Sequence, residues 1–491
     1  MSADFKDRTS AELTQRYFMA ALTVIREQLA IHVRGPDSGE PDGDRPGVLV
    51  AQREVERYRR ALTHPAPIDM LCAVFGLGAF ERDIILLCAG AELDRDIADA
   101  CDAIHGTATP TLGLALTVLP GAVWGPLAPG APLRQWRIIE VSPGARLLDR
   151  TLHLDESILH FLLGLRAMDQ RLLGLFAPVR VTPSLVTSQI VVAENVAQLW
   201  SSKNSSLPIV ALCGAMPLTL RAVAQLACEY GRLDLYSISA ADLPDTAAEQ
   251  IIAASLWERH AALTVSALLI ELVGDNDSAR SKAMAFVRRI QGPLLLSTAE
   301  PLPIYDRTVV RIDVPRPQQS EQRALWLKHL GEQAAEFTDV LDAVTAQFCL
   351  DGSAVAAVAA GLRARPSSAE DGDPSNGTPR TRLWRACRAQ TRPRMDELAQ
   401  HIEPRATFDD LIVGERQESL LREIAVHVRQ RVCVYRDWGF ARSSARGLGV
   451  SALFAGPSGT GKTTAAEVLA GELDLDLYRI DLSAMVRKYI G

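Results

Sequence analysis

Gly456-Pro457-Ser458-Gly459-Thr460-Gly461-Lys462-Thr463 places glycines, one lysine and one hydroxyl at the spacing G-x-x-x-x-G-K-[ST]. Glycines let successive backbone N–H groups curl around phosphate oxygens. A helix that begins where the loop ends aims its positive pole at the same oxygens. A lysine in this place reaches the β- and γ-phosphates, and the hydroxyl after it can ligate Mg2+. The residues therefore predict a site for ATP and Mg2+, with Thr463 as the metal ligand and Thr464 among the nucleotide-binding residues. The flanks agree. VSALFA (450–455) is a short apolar run without charge that predicts a strand, and TTAAEVLAGEL (463–473) is a strong helix former. Elsewhere the histidines are isolated, and no Ser/His/Asp or Cys/His set has an interpretable spacing. The eight cysteines form no C-x-x-C pair and read as small core residues of a reducing compartment.

A shift of 242 residues lays a second copy over the first. Gly456 falls on Gly214, and SALFA (451–455) falls on IVALC (209–213). The word Leu-Asp-Leu-Tyr follows at 475–478 and again at 233–236, and Ile480 matches Ile238. The shared offset across strand, turn, helix and second strand predicts two copies of one nucleotide-binding α/β module. In the first copy Thr219 stands at the second glycine, Leu220 at the lysine and Arg221 at the metal-ligating hydroxyl. A leucine cannot offset the charge of a triphosphate, so this loop is expected to have lost Mg·ATP binding. Leu268–Leu272 reads as an apolar strand carrying one acid, Glu271. A hydrolase would place two adjacent acids there, one for Mg2+ and one to activate water, and Leu272 takes the second place. Pro293–Ser297 is a third strand.

The surrounding elements follow from pattern. Residues 10–33 carry apolar side chains at helical spacing behind Ser10, which predicts a helix capped there. GPDSGEPDGDRPG (35–47) and RARPSSAEDGDPSNGTPR (363–380) read as linkers, the second as disordered. Residues 66–104 read as buried helices. WRIIEVSPGARLLDRTLHLD (136–155) contains two β-type runs around Ser142-Pro143-Gly144, a hairpin signal, and ESILHFLLGL then predicts another helix. Helices, hairpin and helix suit a winged-helix-like module. Asp94, Asp96, Asp99 and Asp102 on the neighbouring helix, without a cluster of Lys or Arg, favour protein docking or a structural role over DNA binding there.

The chain has 491 residues, enough for about three domains at roughly 150 residues each. A net charge of −7 argues against a generic phosphate-backbone binder. The N-terminus lacks the apolar run of a secretory signal, and no stretch reaches the roughly 18 apolar residues of a membrane span. These features predict a cytoplasmic multidomain protein without a membrane segment.

With these residues in hand, the chain resembles a tandem AAA-type ATPase. TFDDLIVG (407–414) is similar to the family's segment before the first strand, which implies that Ile412 and Val413 line an adenine pocket. RKYIG (487–491) resembles its first pore loop, which implies that Tyr489 and Ile490 grip a translocated polypeptide. RIDVPRPQQSEQRALWLKHL (311–330) is similar to the family's passage into its helical lid. More narrowly, WGFARSSARGLGVSALFAGPSGTGKT and LYRIDLSAMVRKYIG resemble ATPases that accompany bacterial extracellular contractile injection systems. That resemblance implies an α/β protein: an N-terminal helical, winged-helix-like region and then two P-loop AAA-type modules, the second incomplete. The Walker B acids, sensor and arginine finger would follow the pore loop, so the catalytic residues are unknown from a chain that stops at Gly491. The strand 450–455 is then expected to lack its neighbours, and this chain alone is not expected to hydrolyse ATP efficiently.

The domain boundaries expected are 1–47 (helix and linker), 48–199 (winged-helix-like), 200–362 (degenerate module), 363–404 (linker and Arg-rich helix) and 405–491 (the module with the phosphate loop). The function expected is ATP-driven remodelling or assembly of protein by a ring, a hexamer by resemblance. Its partners would be copies of itself and a protein substrate or contractile-particle components. Two rivals stand: a nucleotide-binding assembly module without turnover, and a nucleic-acid remodeller. The second draws on arginines 380, 382, 385, 388, 392 and 394, which more often mark a solvated linker helix.

Overall fold

The computed structural model describes residues 2–34, 46–144, 146–165, 167–180, 184–201, 207–272, 277–299, 307–364, 378–391, 399–432, 434, 438 and 450–480. They form two compact units, 1–181 with 192–314 and 182–191 with 315–491. No described helix is long and apolar enough to cross a membrane.

The first unit opens with α1 (Ser2–Arg34) and α2 (Pro46–Ala61). The helix expected to be capped at Ser10 begins eight residues earlier, because nothing from Ala3 to Ser10 is a proline or glycine that would stop it. Next come α3 (Pro67–Phe75), α4 (Ala79–Leu93), α5 (Arg95–His105), α6 (Leu112–Val118) and α7 (Pro132–Gln135). Gly76 ends α3 at φ +64°, and Asp94 caps α5 by accepting from Asp96 N at 2.9 Å. The apolar girdle of α4 is buried from Ile84 through Ala89. The expected hairpin is present: β1 (Ile139–Val141) pairs antiparallel with β2 (Leu152–Leu154), Ile139 opposite Leu154. Then α8 (Glu156–Leu162) starts from Asp155, whose carboxylate accepts from Ser157 N at 3.0 Å. Tyr17, Ile25, Leu71, Ile84, Leu87, Leu114, Leu133 and Ile138 have no exposed surface and form the core.

The same unit holds a six-stranded sheet built from β3 (Ala177–Pro178), β4 (Ile209–Cys213), β5 (Asp234–Ser239), β6 (Ser266–Glu271), β7 (Leu294–Thr298) and β8 (Val309–Asp313). The spatial order is β3-β5-β6-β7-β4-β8, parallel except for β3. Helix α9 (Thr187–Ser201) begins in the second unit and continues into this one from Val192, and α10 (Pro217–Gly231), α11 (Ala247–Thr264) and α12 (Asp277–Val287) accompany the sheet. Strand β4 is bonded on both sides by strands later in sequence: Val210 opposite Leu295 of β7 and Val310 of β8. Continuous apolar runs mark β4, β6 and β7 because both faces of each are covered.

The second unit contains α13 (Gln319–Leu330), α14 (Ala334–Gln347), α15 (Gly352–Ala364) and α16 (Pro379–Thr391). Trp326, Phe337, Leu341, Val344, Val355, Leu383 and Cys387 are sealed between them. Of the segment expected to be disordered, 363–364 end α15 and 378–380 enter α16, and 365–377 lie outside the described residues. Next come β9 (Gln400–Ile402), α17 (Glu415–Val432), α18 (Lys462–Glu472) and β10 (Leu477–Arg479). A small core of Leu421, Ala425, Ala465 and Leu469 joins α17 to α18, with Phe408, Leu411 and Phe454 packed on it.

One sequence expectation is corrected here. Residues 450–455 are apolar but form no ladder among the described residues, and Leu453 stands 92% exposed. In the first copy both partners of β4 come from strands later in sequence, so an apolar run alone does not make this strand. The structure also extends the repeat. Tyr236 of β5 lies opposite Pro178, and its counterpart Tyr478 of β10 lies opposite His401, so each copy adds an antiparallel edge strand to the same word.

Candidate nucleotide site

The loop 456–461 is bent as a phosphate cradle requires. Gly459 (φ +83°) and Gly461 (φ +77°) take left-handed conformations that a side chain would strain, and α18 starts at the next residue, Lys462. Lys462 Nζ donates to the carbonyls of Gly456 (3.0 Å) and Pro457 (2.6 Å), and Thr460 Oγ1 donates to Pro457 O at 2.9 Å. These acceptors are neutral, whereas the oxygens of a phosphate chain are ionised and form stronger, charge-assisted bonds with an ammonium. Ser458 is exposed on the loop and Thr463 on the first turn of α18, and Thr464 is half-buried, so the donor set fits a nucleotide phosphate chain with Mg2+. Leu411 lies beside the loop, its Cδ1 3.9 Å from the position of a Cβ on Gly461. This brings 411–413 close to α18, with Ile412 99% exposed and Val413 half-buried. Tyr489 and Ile490 lie outside the described residues.

The first copy has lost more than its lysine. Helix α10 starts at Pro217, three residues before Leu220, the counterpart of Lys462. Pro217 stands where Gly459 takes a positive φ that a proline ring, fixed near −65°, cannot adopt, and it serves as a helix start instead. The helix thus runs through positions that form the cradle in the second copy. Leu220 is buried and packs under the turn, its Cδ2 3.1 Å from where a Cβ on Gly214 would sit. Arg221 Nε donates to Glu271 Oε1 at 2.8 Å, and a second Arg221 nitrogen donates to Glu271 Oε2. This bidentate pair holds the guanidinium above its usual pKa. The acid that would serve a metal is held by a cation of the chain itself. The identities of Leu220 and Arg221 signalled the loss, and Pro217 opposite Gly459 was a further signal that spacing alone passed over.

The sequence reading missed a second polar centre. Arg259 on α11, 2% exposed, donates to Asp155 Oδ1 (2.9 Å), Ser157 Oγ (2.7 Å) and Asp169 Oδ2 (2.7 Å), and to the carbonyl of Arg137. Arg171 bridges the same two carboxylates from the other side, reaching Asp169 Oδ1 at 3.0 Å and also bonding Asp155. Burial pushes both carboxyls up, but the two guanidiniums and the hydrogen bonds to them outweigh it and hold Asp155 and Asp169 below the usual carboxylate range. The network ties the helix after the hairpin to the six-stranded sheet domain. Arg259 lies about 90 residues or more from both carboxylates, and only Asp155, ahead of a helix, had a local signature.

Comparison with known proteins bears on three segments. Residues 48–175 match the family model "Winged helix domain, variant", 318–393 match "Contractile injection system ATPase helical domain", and 452–491 match "ATPase family associated with various cellular activities (AAA)". A curated protein of Sinorhizobium fredii, described as an uncharacterized AAA family ATPase, y4kL, is 30% identical over 95 residues, 19% of this chain. The chain spans 27% of that relative's length. A solved FIGL-1 AAA domain in complex with ADP superposes with a TM-score of 0.32 at 11% identity, covering 51% of this chain and 92% of that one. The matched segments relate the chain to AAA-type ATPases and, through 318–393, to the ATPases of contractile injection systems.

Proposed function

We propose that loop 456–463 binds ATP with Mg2+, and that the protein uses ATP to remodel or assemble protein components of a contractile injection particle. The observation that carries this reading is the cradle: left-handed glycines at 459 and 461, Lys462 bonded among the described residues to neutral loop oxygens, and the α18 N-terminus directly behind. The loop N–H groups and Lys462 would hold the phosphates, Thr463 would ligate Mg2+, and Ile412 and Val413 would cover the adenine. Bound Mg2+ supplies charge neutralisation on the phosphate oxygens. Tyr489 and Ile490 would grip a polypeptide substrate. The boundaries at 47, 199, 362 and 404, a ring of copies with hexameric closure, and a cytoplasmic setting belong to the same reading.

A nucleotide-dependent assembly module without turnover is the second reading, favoured by the Arg221–Glu271 pair, which leaves the first copy as scaffold. Nucleic-acid remodelling is less well supported. Arg382 is paired with Glu336 at 2.8 Å and Arg388 with Asp474 at 2.7 Å, so two of the six arginines already serve the fold. The test is a titration of the full chain with a fluorescent ATP analogue, with and without Mg2+. Saturable, Mg2+-strengthened binding that Lys462→Ala removes is expected. Binding that survives Lys462→Ala would refute the site.

A further inference from the structure

The end of α18 opposite the phosphate loop is held by two other helices of its unit. Beyond Glu472 the chain turns at Asp474, left-handed at φ +53°, and Leu475 N donates to Ala470 O at 2.9 Å. Helix α16 sets two donors on this turn. Trp384 Nε1 donates to Asp474 O at 3.0 Å, and Arg388 donates to the same oxygen at 3.3 Å and to Asp474 Oδ1 at 2.7 Å. Arg388 Nε also lies 3.5 Å from Asp476 Oδ1. From α17, Arg429 donates to Glu472 O at 2.9 Å and Oε1 at 2.6 Å. The carbonyl end of a helix is its negative pole, which nearby cations stabilise. Here the cations belong to other helices, so the cap of one helix is also the dock of two.

The repeat shows which group the dock depends on. The counterpart of Asp474 in the first copy is Arg232, which ends α10 in the same left-handed conformation, φ +55°. The turn is common to both copies, and its charge is reversed. A guanidinium such as that of Arg388 meets an opposite charge at Asp474, and it would meet a like charge at Arg232.

We infer that Asp474 is the residue by which the helical segment carrying Trp384 and Arg388 engages the second copy, and that this clamp raises nucleotide affinity at the phosphate loop. The inference rests on the nucleotide reading of loop 456–463. Helix α18 has 11 residues, about 16 Å of rod, with the cradle at one end and the clamp at the other. Ala465, Val468 and Leu469 are buried along it, which holds the rod against its neighbours. Fixing its far end orders the helix that presents the loop N–H groups, and by linkage nucleotide strengthens the clamp by the same factor.

The test uses the full chain carrying Asp474→Arg, Arg388→Asp or both. Asp474→Arg installs the residue that the first copy carries at the same φ, so the turn tolerates it. Affinity for a fluorescent ADP analogue with Mg2+ is measured beside hydrogen exchange over 384–391 and 470–476. Each single change is expected to weaken binding about five-fold or more and to speed exchange in both segments, and the charge swap to bind better than either single variant. Singles that bind like the unaltered protein, or a swap no better than the two losses added, would overturn the coupling. Unchanged exchange over 384–391 in Asp474→Arg would overturn the dock itself. If the unaltered protein binds no nucleotide, the nucleotide reading falls and the coupling with it, while the exchange data still judge the dock.

Discussion

Removing Arg259 should be the most damaging single polar change in the first unit. Its side chain is 2% exposed, and the carboxylates it pairs with, Asp155 and Asp169, are 5% and 6% exposed. Arg259→Met keeps the stem and much of the volume but takes away the charge and the donors to Asp155, Ser157 and Asp169. Breaking a buried ion pair by deleting one partner costs about 3 to 5 kcal/mol. Arg171, 41% exposed, still bridges both carboxylates, which places the loss near the lower end, about 3 kcal/mol. At about 2 to 4 °C per kcal/mol for a domain of this size, the transition should fall by roughly 6 °C or more. Arg171→Met should cost about 1 kcal/mol, because water screens that guanidinium. Differential scanning calorimetry and denaturant titration of the full chain measure both. A loss under 1 kcal/mol for Arg259→Met, or equal losses for the two variants, would refute the assignment of Arg259 as the buried hub. The pH dependence has a definite sign. Carboxyls held below their unfolded pKa stabilise the fold above that value and lose the contribution as pH falls. The stability gap between the unaltered protein and Asp155→Asn should therefore narrow as pH drops below about 4.

Glu271→Gln should lower stability by about 1 kcal/mol, since Arg221 is one-third exposed, and should leave nucleotide binding by the full chain unchanged; a lost binding signal would show that the first copy takes part. Ile412→Ser should change stability by less than about 0.5 kcal/mol, because the side chain is in water; on the proposed reading it weakens binding of the adenine nucleotide, and unaltered affinity would remove Ile412 from the site. Burial pushes the Cys387 and Cys228 thiols up to about 12, whereas Cys349, whose thiol partial burial also raises, is exposed to solvent. Iodoacetamide at pH 8 should therefore modify Cys349 in the native protein and reach the other two only after denaturation. Equal rates, read by peptide mass mapping, would contradict the packing of α10 and α16.

The bend of loop 456–461 was legible because its geometry is local: Gly459 and Gly461 take their left-handed conformations directly before α18, and their order along the chain is their order in space. The repeat was legible for a related reason, since a conserved offset survives whatever the two copies pack against. The hairpin around Ser142-Pro143-Gly144 followed from turn chemistry, and the winged-helix organisation followed from the helices around it. What the chain alone could not show depends on which elements become neighbours. Arg221 meets Glu271 only because α10 and the end of β6 converge across a sheet ordered β5-β6-β7-β4. Arg259 gathers Asp155 and Asp169 from about 100 residues away, and no spacing rule reaches that far. The composition of 450–455 reads as a strand and the family resemblance implies that its neighbours are lacking; the described residues there form no ladder. Arg232 and Asp474 were aligned by the repeat from the outset. That they occupy the same left-handed turn with opposite charge, and that Arg388 rests on one of them, was decided by tertiary structure, because a charge acquires its effect only from the group placed against it.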